Sequence, residues 1–203
     1  LLLDEVLKRS KLGVGLHLNI TSGKPVSPVS NIPSLLETDG HFKKNSAQLE
    51  HLPEASEVQK EYENQVEKFK AVFNRAPTHL DTHHQLHDHP FYFDILSQLA
   101  SRYGLPIRRS IKVSGTIVTT DALLMDMDPT NPWTAERLES SLQHLGEGVT
   151  ELMCHPGYHD EDLRSVSSFT GGRQQELEIF SDSKWHEYLK NHNIQLINFD
   201  MMT

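Results

Sequence analysis

Cysteine is all but absent: Cys154 is the only one in 203 residues. A single thiol closes no internal disulfide, which fits a reducing compartment, so a cytoplasmic location is expected. No stretch approaches the roughly 18 consecutive apolar residues that a membrane span needs. The opening LLLDEVLKRSKLG lacks the layout of a secretory leader, because Asp4 and Glu5 interrupt its apolar start. Cations are sparse too. The 19 Lys and Arg stand against 28 Asp and Glu, for a net charge of −9, and they form no basic stripe. Phosphate neutralisation needs clustered cations, so nucleic acid is not an expected partner, and neither is a membrane. Also missing are a G-x-S-x-G nucleophile elbow and a P-loop, and Gly171-Gly172 lacks the further glycines of a dinucleotide fingerprint. Cys154 lies inside the apolar run ELMCH, where a thiol is ordinarily inert packing.

Histidine is what the chain has in plenty. The stretch THLDTHHQLHDHP, residues 78–90, puts five His and two Asp into thirteen positions. Three readings compete for it: a metal site, a proton-handling site, or a polar loop.

The surrounding pattern is one of alternating strands and helices. Residues 1–10 read as a helix with Leu2, Leu3, Val6 and Leu7 on one face. VGLHLNI alternates at period two, a strand with His17 and Asn19 opposite its apolar face. The Pro-, Gly- and Ser-rich TSGKPVSPVSNIP is loop. Apolar residues at 58, 62, 66, 69 and 73 predict a helix over 57–74. PTHLDTH alternates again, with His79, Asp81 and His83 on one face. Pro90 opens a helix that Gly104 closes. LPIRRSIKV reads as a strand, Thr134 caps a helix running to Gly146, and VTELMCH is a buried strand ending at His155. A loop, the helix RQQELEIF, a helix around Trp185–Lys190 and the strand IQLINF complete the chain. One α/β domain over residues 1–203 is expected, a parallel sheet or barrel covered by helices. Ligands in such folds bind at the carboxyl ends of strands, where His17, His83, Arg108 and His155 fall.

Each candidate has a plain alternative. A His on the outer face of a strand, such as His17, is more often a hydrogen-bonded structural residue. The row His79–Asp81–His83 suits ligation, with the carboxylate orienting an imidazole, but a satisfied polar loop explains it as well. His155 is either a buried His tied to a carbonyl or a general acid. Arg108 and Arg109 either fix a carboxylate or are solvated. His84 and Thr82 point to the other face and read as structural.

Taken in order, VGLHLNITSGKPV, PTHLDTHHQLHDHP, TELMCHPGY and R-x-x-E-L at Arg173–Leu177 resemble the motifs of the YdjC-like carbohydrate deacetylases, the family that includes chitooligosaccharide deacetylase. The match runs from about Val14 to Phe199. The resemblance implies a distorted (β/α) barrel that removes acetyl from N-acetylated sugars with the help of a divalent cation. It implies His17 and His83 as metal ligands, with Mg²⁺ the expected cation, although imidazoles alone also suit zinc. His155 matches the site histidine of the C-H-P-G motif, for which a general-acid role is inferred. Asp81 is expected to orient an imidazole or contact the sugar. His87 is expected to complete the ligand set or bind a substrate hydroxyl, and Arg108 to hold a carboxylate. The family carries paired aspartates on a strand about forty residues before G-x-H-L, so strands bearing that pair are expected upstream of Leu1. A homodimer acting on a small oligosaccharide is the expected form. Two rival readings are a catalytically silent sugar-binding or regulatory protein, and another metal-dependent hydrolase such as a phosphoesterase or amidohydrolase.

Overall fold

The computed structural model describes residues 2–9, 11–125, 132–167 and 170–202. Leu1 and Ser10 of the expected first helix lie outside them, as do Ser168 and Phe169 of the expected loop. The backbone groups into two compact units, Leu1–Thr119 with Asn198–Thr203, and Thr120–Ile197.

In the first unit, α1 (Leu2–Leu7) leads into β1 (Leu16–Leu18). A short helix α2 (Asn45–Glu50), which the periodicity did not announce, precedes the long α3 (Ala55–Phe73). The α3 stripe is the expected one: Val58, Tyr62, Val66 and Phe69 are buried, and Phe73 stacks on Phe69 at 4.3 Å between ring centroids. Then come β2 (Leu80–Thr82), a tight 3₁₀ turn over His83–Asp88, and α4 (Pro90–Tyr103). Proline sits in the first turn of α4, where its missing N–H costs nothing. Gly104 ends the helix in the left-handed region (φ 65°), returning its N–H to the carbonyls of Ala100 and Ser101. Leu18, Ile20, Leu80, Tyr62, Tyr92, Leu96 and Leu99 form the core beneath the strands.

Strands β1 and β2 are parallel neighbours in the register Leu16↔Leu80, His17↔Asp81, Leu18↔Thr82. That pairing puts His17 beside Asp81 on one face. The expected strand over 105–113 survives only as the parallel bridge Leu80↔Ile107. Pro106 has no N–H to offer a ladder. Beyond it, the Ser110 hydroxyl accepts the N–H groups of Lys112 and Val113, turning the chain instead. The expected strand IQLINF is likewise not formed. Phe199–Met201 is a 3₁₀ turn capped by the Asn198 side chain, which accepts from Asp200 N (2.9 Å) and donates to the Lys11 carbonyl (2.9 Å).

The second unit has its own parallel pair, β3 (Ala122–Leu124) with β4 (Thr150–Leu152). Thr134 caps α5 (Ala135–Gln143) by accepting from Arg137 N, as its sequence position indicated. Asp160 caps α6 (Glu161–Val166), α7 runs over Arg173–Ser181 and α8 over Lys184–Asn191. Trp133, Leu138 and Trp185 are the buried centre of this unit. Among the described residues the strands form two two-stranded parallel ladders, one in each unit, and the expected barrel is not seen in the sheet pairing.

A buried carboxylate ties the loop after β1 to α3. Glu61 is fully buried; its two oxygens accept from Val26 N and Ser27 N at 2.9 Å each, and Gln65 donates to it at 2.8 Å. Glu61→Ala strands those donors, and urea denaturation is expected to show a loss of about 1–3 kcal/mol.

Candidate active site

Register explains why His17 and Asp81 meet. His17 Nδ1 lies 2.9 Å from Asp81 Oδ1, and Arg108 Nη1 lies 2.5 Å from Asp81 Oδ2. A carboxylate can only accept, so the hydrogen on the His17 ring must sit on Nδ1. Its Nε2 then carries a bare lone pair. That lone pair faces His83 Nδ1 at 3.2 Å, with the two rings edge to face at 5.4 Å between centroids.

Burial alone would raise the Asp81 carboxyl. The His17 hydrogen bond and the Arg108 charge outweigh it and hold the group below the usual carboxylate range. Asp81 thus stays anionic while mostly buried. Burial, with the charges of His84 and His17, pushes the His83 imidazole down to about 4, leaving its ring nitrogens in the neutral form at ordinary pH.

The turn that aims His83 is itself constrained. His84 (φ 54°) and Gln85 (φ 50°) both occupy the left-handed region, an uncommon conformation for residues with side chains. The backbone swings His83 toward His17 and leaves the His84 ring beside it, 3.9 Å between centroids, with His84 Nδ1 2.9 Å from Thr21 Oγ1. His87 pins the turn from below. It is fully buried, its Nδ1 is 2.6 Å from Thr82 Oγ1, and its own N–H donates to the same hydroxyl at 3.0 Å. Asp88 fastens the far end by accepting from Ser110 Oγ (2.7 Å) and Ile111 N (2.9 Å).

His79 lies one layer beneath. Its ring stacks on Phe199 at 3.9 Å and covers Gly15, where a Cβ would fall 2.2 Å from the imidazole. The glycine of G-x-H-L is therefore a space requirement of His79. In the second unit His155 follows β4, and its backbone N–H donates to Glu176 Oε2 at 2.6 Å.

Of the expected site residues, His17, Asp81, His83 and Arg108 converge. Arg108 does hold a carboxylate, that of Asp81. His87, expected to complete the ligand set or bind a substrate hydroxyl, is fully buried, with Nδ1 bonded to Thr82 and Nε2 buried without a hydrogen-bond partner among the described residues. Thr82 is bonded within the turn, through its hydroxyl to His87; His84, expected on the other face, instead lies beside the His83 ring. Sequence reading assigned nothing to Gly15, Thr21 or Glu176. All three stood inside quoted motifs, which was their only signal.

Would the residues present suit a divalent cation? Two ligating nitrogens at about 2.0–2.1 Å from a tetrahedral ion stand about 3.4 Å apart. His17 Nε2 and His83 Nδ1, at 3.2 Å, match that spacing. The carboxylate behind His17 is the usual outer partner of a ligating imidazole. The pair fits as two ligands; among the described residues no group of three potential ligands assembles.

Comparison with known proteins identifies the family. The model of the YdjC-like protein family matches residues 3–191, and the chain belongs to that family. A carbohydrate deacetylase of Clostridium beijerinckii is 34% identical over 198 residues, 95% of this chain and 79% of that protein. One from Geobacillus stearothermophilus is 34% identical over 192 residues, 93% of this chain and 76% of that protein. A crystal structure from Enterococcus faecalis, whose name provisionally assigns it to cellobiose-phosphate cleavage, superposes with a TM-score of 0.84 at 26% identity, covering 98% of this chain and 83% of that one.

One consequence concerns pH. Burial leads the causes that push the His79 imidazole down to about 4, against an ordinary 6.5. The unfolded chain then binds a proton that the folded chain refuses, so stability is full above about 6.5 and falls as pH drops toward 4. Thermal melts of the metal-free protein across that window are expected to show this slope. Replacing His79 with Phe should reduce it, leaving the part carried by His83, which burial also lowers to about 4.

Proposed function

We propose that this protein removes acetyl groups from N-acetylated sugars of the chitooligosaccharide or N-acetylglucosamine type. The observation that carries the proposal is the convergence of His17 Nε2 and His83 Nδ1, backed by Asp81, in a chain whose relatives are named carbohydrate deacetylases. A divalent cation, Mg²⁺ by family resemblance and Zn²⁺ by ligand type, would be held by His17 and His83 and would supply Lewis acidity toward the amide oxygen.

The chain's own residues do the rest. Asp81 orients His17 and keeps its lone pair outward; Arg108 holds Asp81 in turn. Water adds to the acetyl carbon, the C–N bond breaks, and the sugar nitrogen leaves as an amine. It leaves with a proton from His155, because an unprotonated amide anion is too poor a leaving group. The proton lost by the attacking water restores the imidazolium, so water and the amide become acetic acid and an amine, which ionise to acetate and ammonium with nothing left over. The family resemblance, on this reading, implies a distorted (β/α) barrel as the fold. A cytoplasmic homodimer is the form in which we expect it to work. No helix among the described residues is long and apolar enough to cross a membrane.

Incubating the full-length protein with N-acetylated chitooligosaccharides should release acetate and free amine in equal amounts. Binding without acetate release would indicate a silent sugar-binding protein. Phosphate release from sugar phosphates without deacetylation would indicate a phosphoesterase. His17→Ala and His83→Ala are each expected to abolish divalent-cation uptake, read by calorimetric titration. Full acetate release from a metal-stripped sample would overturn the metal-assisted reading.

A further inference from the structure

Glu176 is a carboxylate with almost no exposed surface on the fourth residue of α7. Both of its oxygens accept from main-chain N–H groups: Oε2 from His155 at 2.6 Å and Oε1 from Trp133 at 3.3 Å. The same helix grips the chain again two residues later, where Gly157 N donates to the Arg173 carbonyl at 3.1 Å. Pro156 between the two contacts has its φ fixed by its ring. The segment His155-Pro156-Gly157 is thus held at both ends by the first turn of α7.

The start of α7 is itself held against the neighbouring chain. Gly172 precedes it at φ 76°, and a Cβ there would fall 2.1 Å from Pro132 Cβ. Gln175 donates to the Trp133 carbonyl at 2.8 Å, and Trp133 Nε1 donates to the Met153 carbonyl at 3.0 Å. Glu176 therefore closes a ring of contacts that runs from α7 through Trp133 to Met153 and back through His155. A buried carboxylate must be desolvated to reach this place, and neutral side chains could fill the space at lower cost. Its two charge-assisted bonds to backbone give it a fixed geometry in return.

We propose that Glu176 is a positioning residue: its carboxylate fixes the main chain at His155, so that the imidazole meets the departing nitrogen in one orientation. This rests on the acid role of His155 put forward above. Proton donation is sensitive to orientation, and general-acid help is worth about 10²–10⁴-fold in rate. A glutamine at 176 can accept only through its one oxygen, and its amide nitrogen would face a second donor. The His155 segment would then lose one of its two anchors.

The experiment compares two reactions of the full-length protein. Turnover of an N-acetylated sugar needs a proton on the leaving nitrogen. Turnover of 4-nitrophenyl acetate does not, because the nitrophenolate leaves unaided. Glu176→Gln is expected to lower kcat for the sugar by about tenfold or more, with KM and the ester rate within twofold of the parent. Glu176→Asp, which keeps the charge, should recover part of the loss. If Glu176→Gln fails to fold by circular dichroism, Glu176→Asp is read by the same criterion. Equal losses on both substrates, or none on the sugar, would show that the carboxylate merely holds the helix, and the inference falls. His155→Ala separates the two levels: if it leaves sugar turnover intact, the acid role fails and takes the positioning role with it. If it abolishes that turnover while the Glu176 variants do not, only the positioning role fails.

Discussion

One hydrogen bond sets the electronic state of the site: the Nδ1–H of His17 donating to Asp81. An imidazole has two nitrogens and, when neutral, one hydrogen. Once Asp81 takes that hydrogen, the other nitrogen is committed to offering a lone pair. Replacing the carboxylate with a donor would reverse the tautomer and point an N–H at His83. The bond exists because of strand register, since parallel pairing of β1 with β2 sets His17 opposite Asp81. A shift of one residue would turn both to the other face.

Keeping Asp81 charged while buried requires compensation, and the fold provides it from the side opposite His17. Arg108 reaches Asp81 because the chain after α4 returns to lie beside β2 at the Leu80↔Ile107 bridge. A third strand of full length is unnecessary; one bridge delivers the guanidinium. The turn over 83–88 carries the other half of the arrangement. Two consecutive left-handed residues are costly, and they persist because His87, Thr82 and Asp88 bind the turn at both ends. His87 therefore braces the turn from a fully buried position.

The sequence was most readable where one short-range rule acts alone. The α3 stripe, Pro90 and Gly104 around α4, and the Thr134 cap each follow from local spacing or a single residue's backbone preference. The His17–Asp81–His83 row was also visible, because period-two alternation puts those residues on one face before any partner is known. Less could be read where contacts between distant segments decide. Residues 105–113 have the apolar character of a strand, but Pro106 and the Ser110 turn leave one bridge. IQLINF has it too, yet Asn198 bonds back to Lys11 and Phe199 is drawn onto His79, so its end curls into a 3₁₀ turn. Burial was the hardest property to foresee. Nothing in HHQLHDH distinguishes His83, which faces His17, from His87, which is sealed inside; the left-handed backbone at 84 and 85 makes that choice. Glu61 and Glu176 look like ordinary helix-surface acids until the amides they serve are located.

Deacetylation asks opposite things of the same side chain. A cation-holding histidine must be neutral with a lone pair free, whereas a histidine that releases an amine must carry a proton to give. Enzymes resolve such conflicts by placing identical groups in environments that push their protonation apart. Here the separation begins with what each imidazole is bonded through. His17 has its Nδ1 hydrogen engaged by Asp81, so its neutral form presents a lone pair at Nε2. His83, depressed by burial and by neighbouring imidazoles, has no proton to give near neutrality. His155 is braced through its main chain instead, at its own amide and at that of Gly157. Bracing a histidine by its backbone fixes where its Cα stands through bonds that involve neither ring nitrogen. The donor role proposed for His155 rests on the chemistry of the step itself, since a departing amine nitrogen must receive a proton.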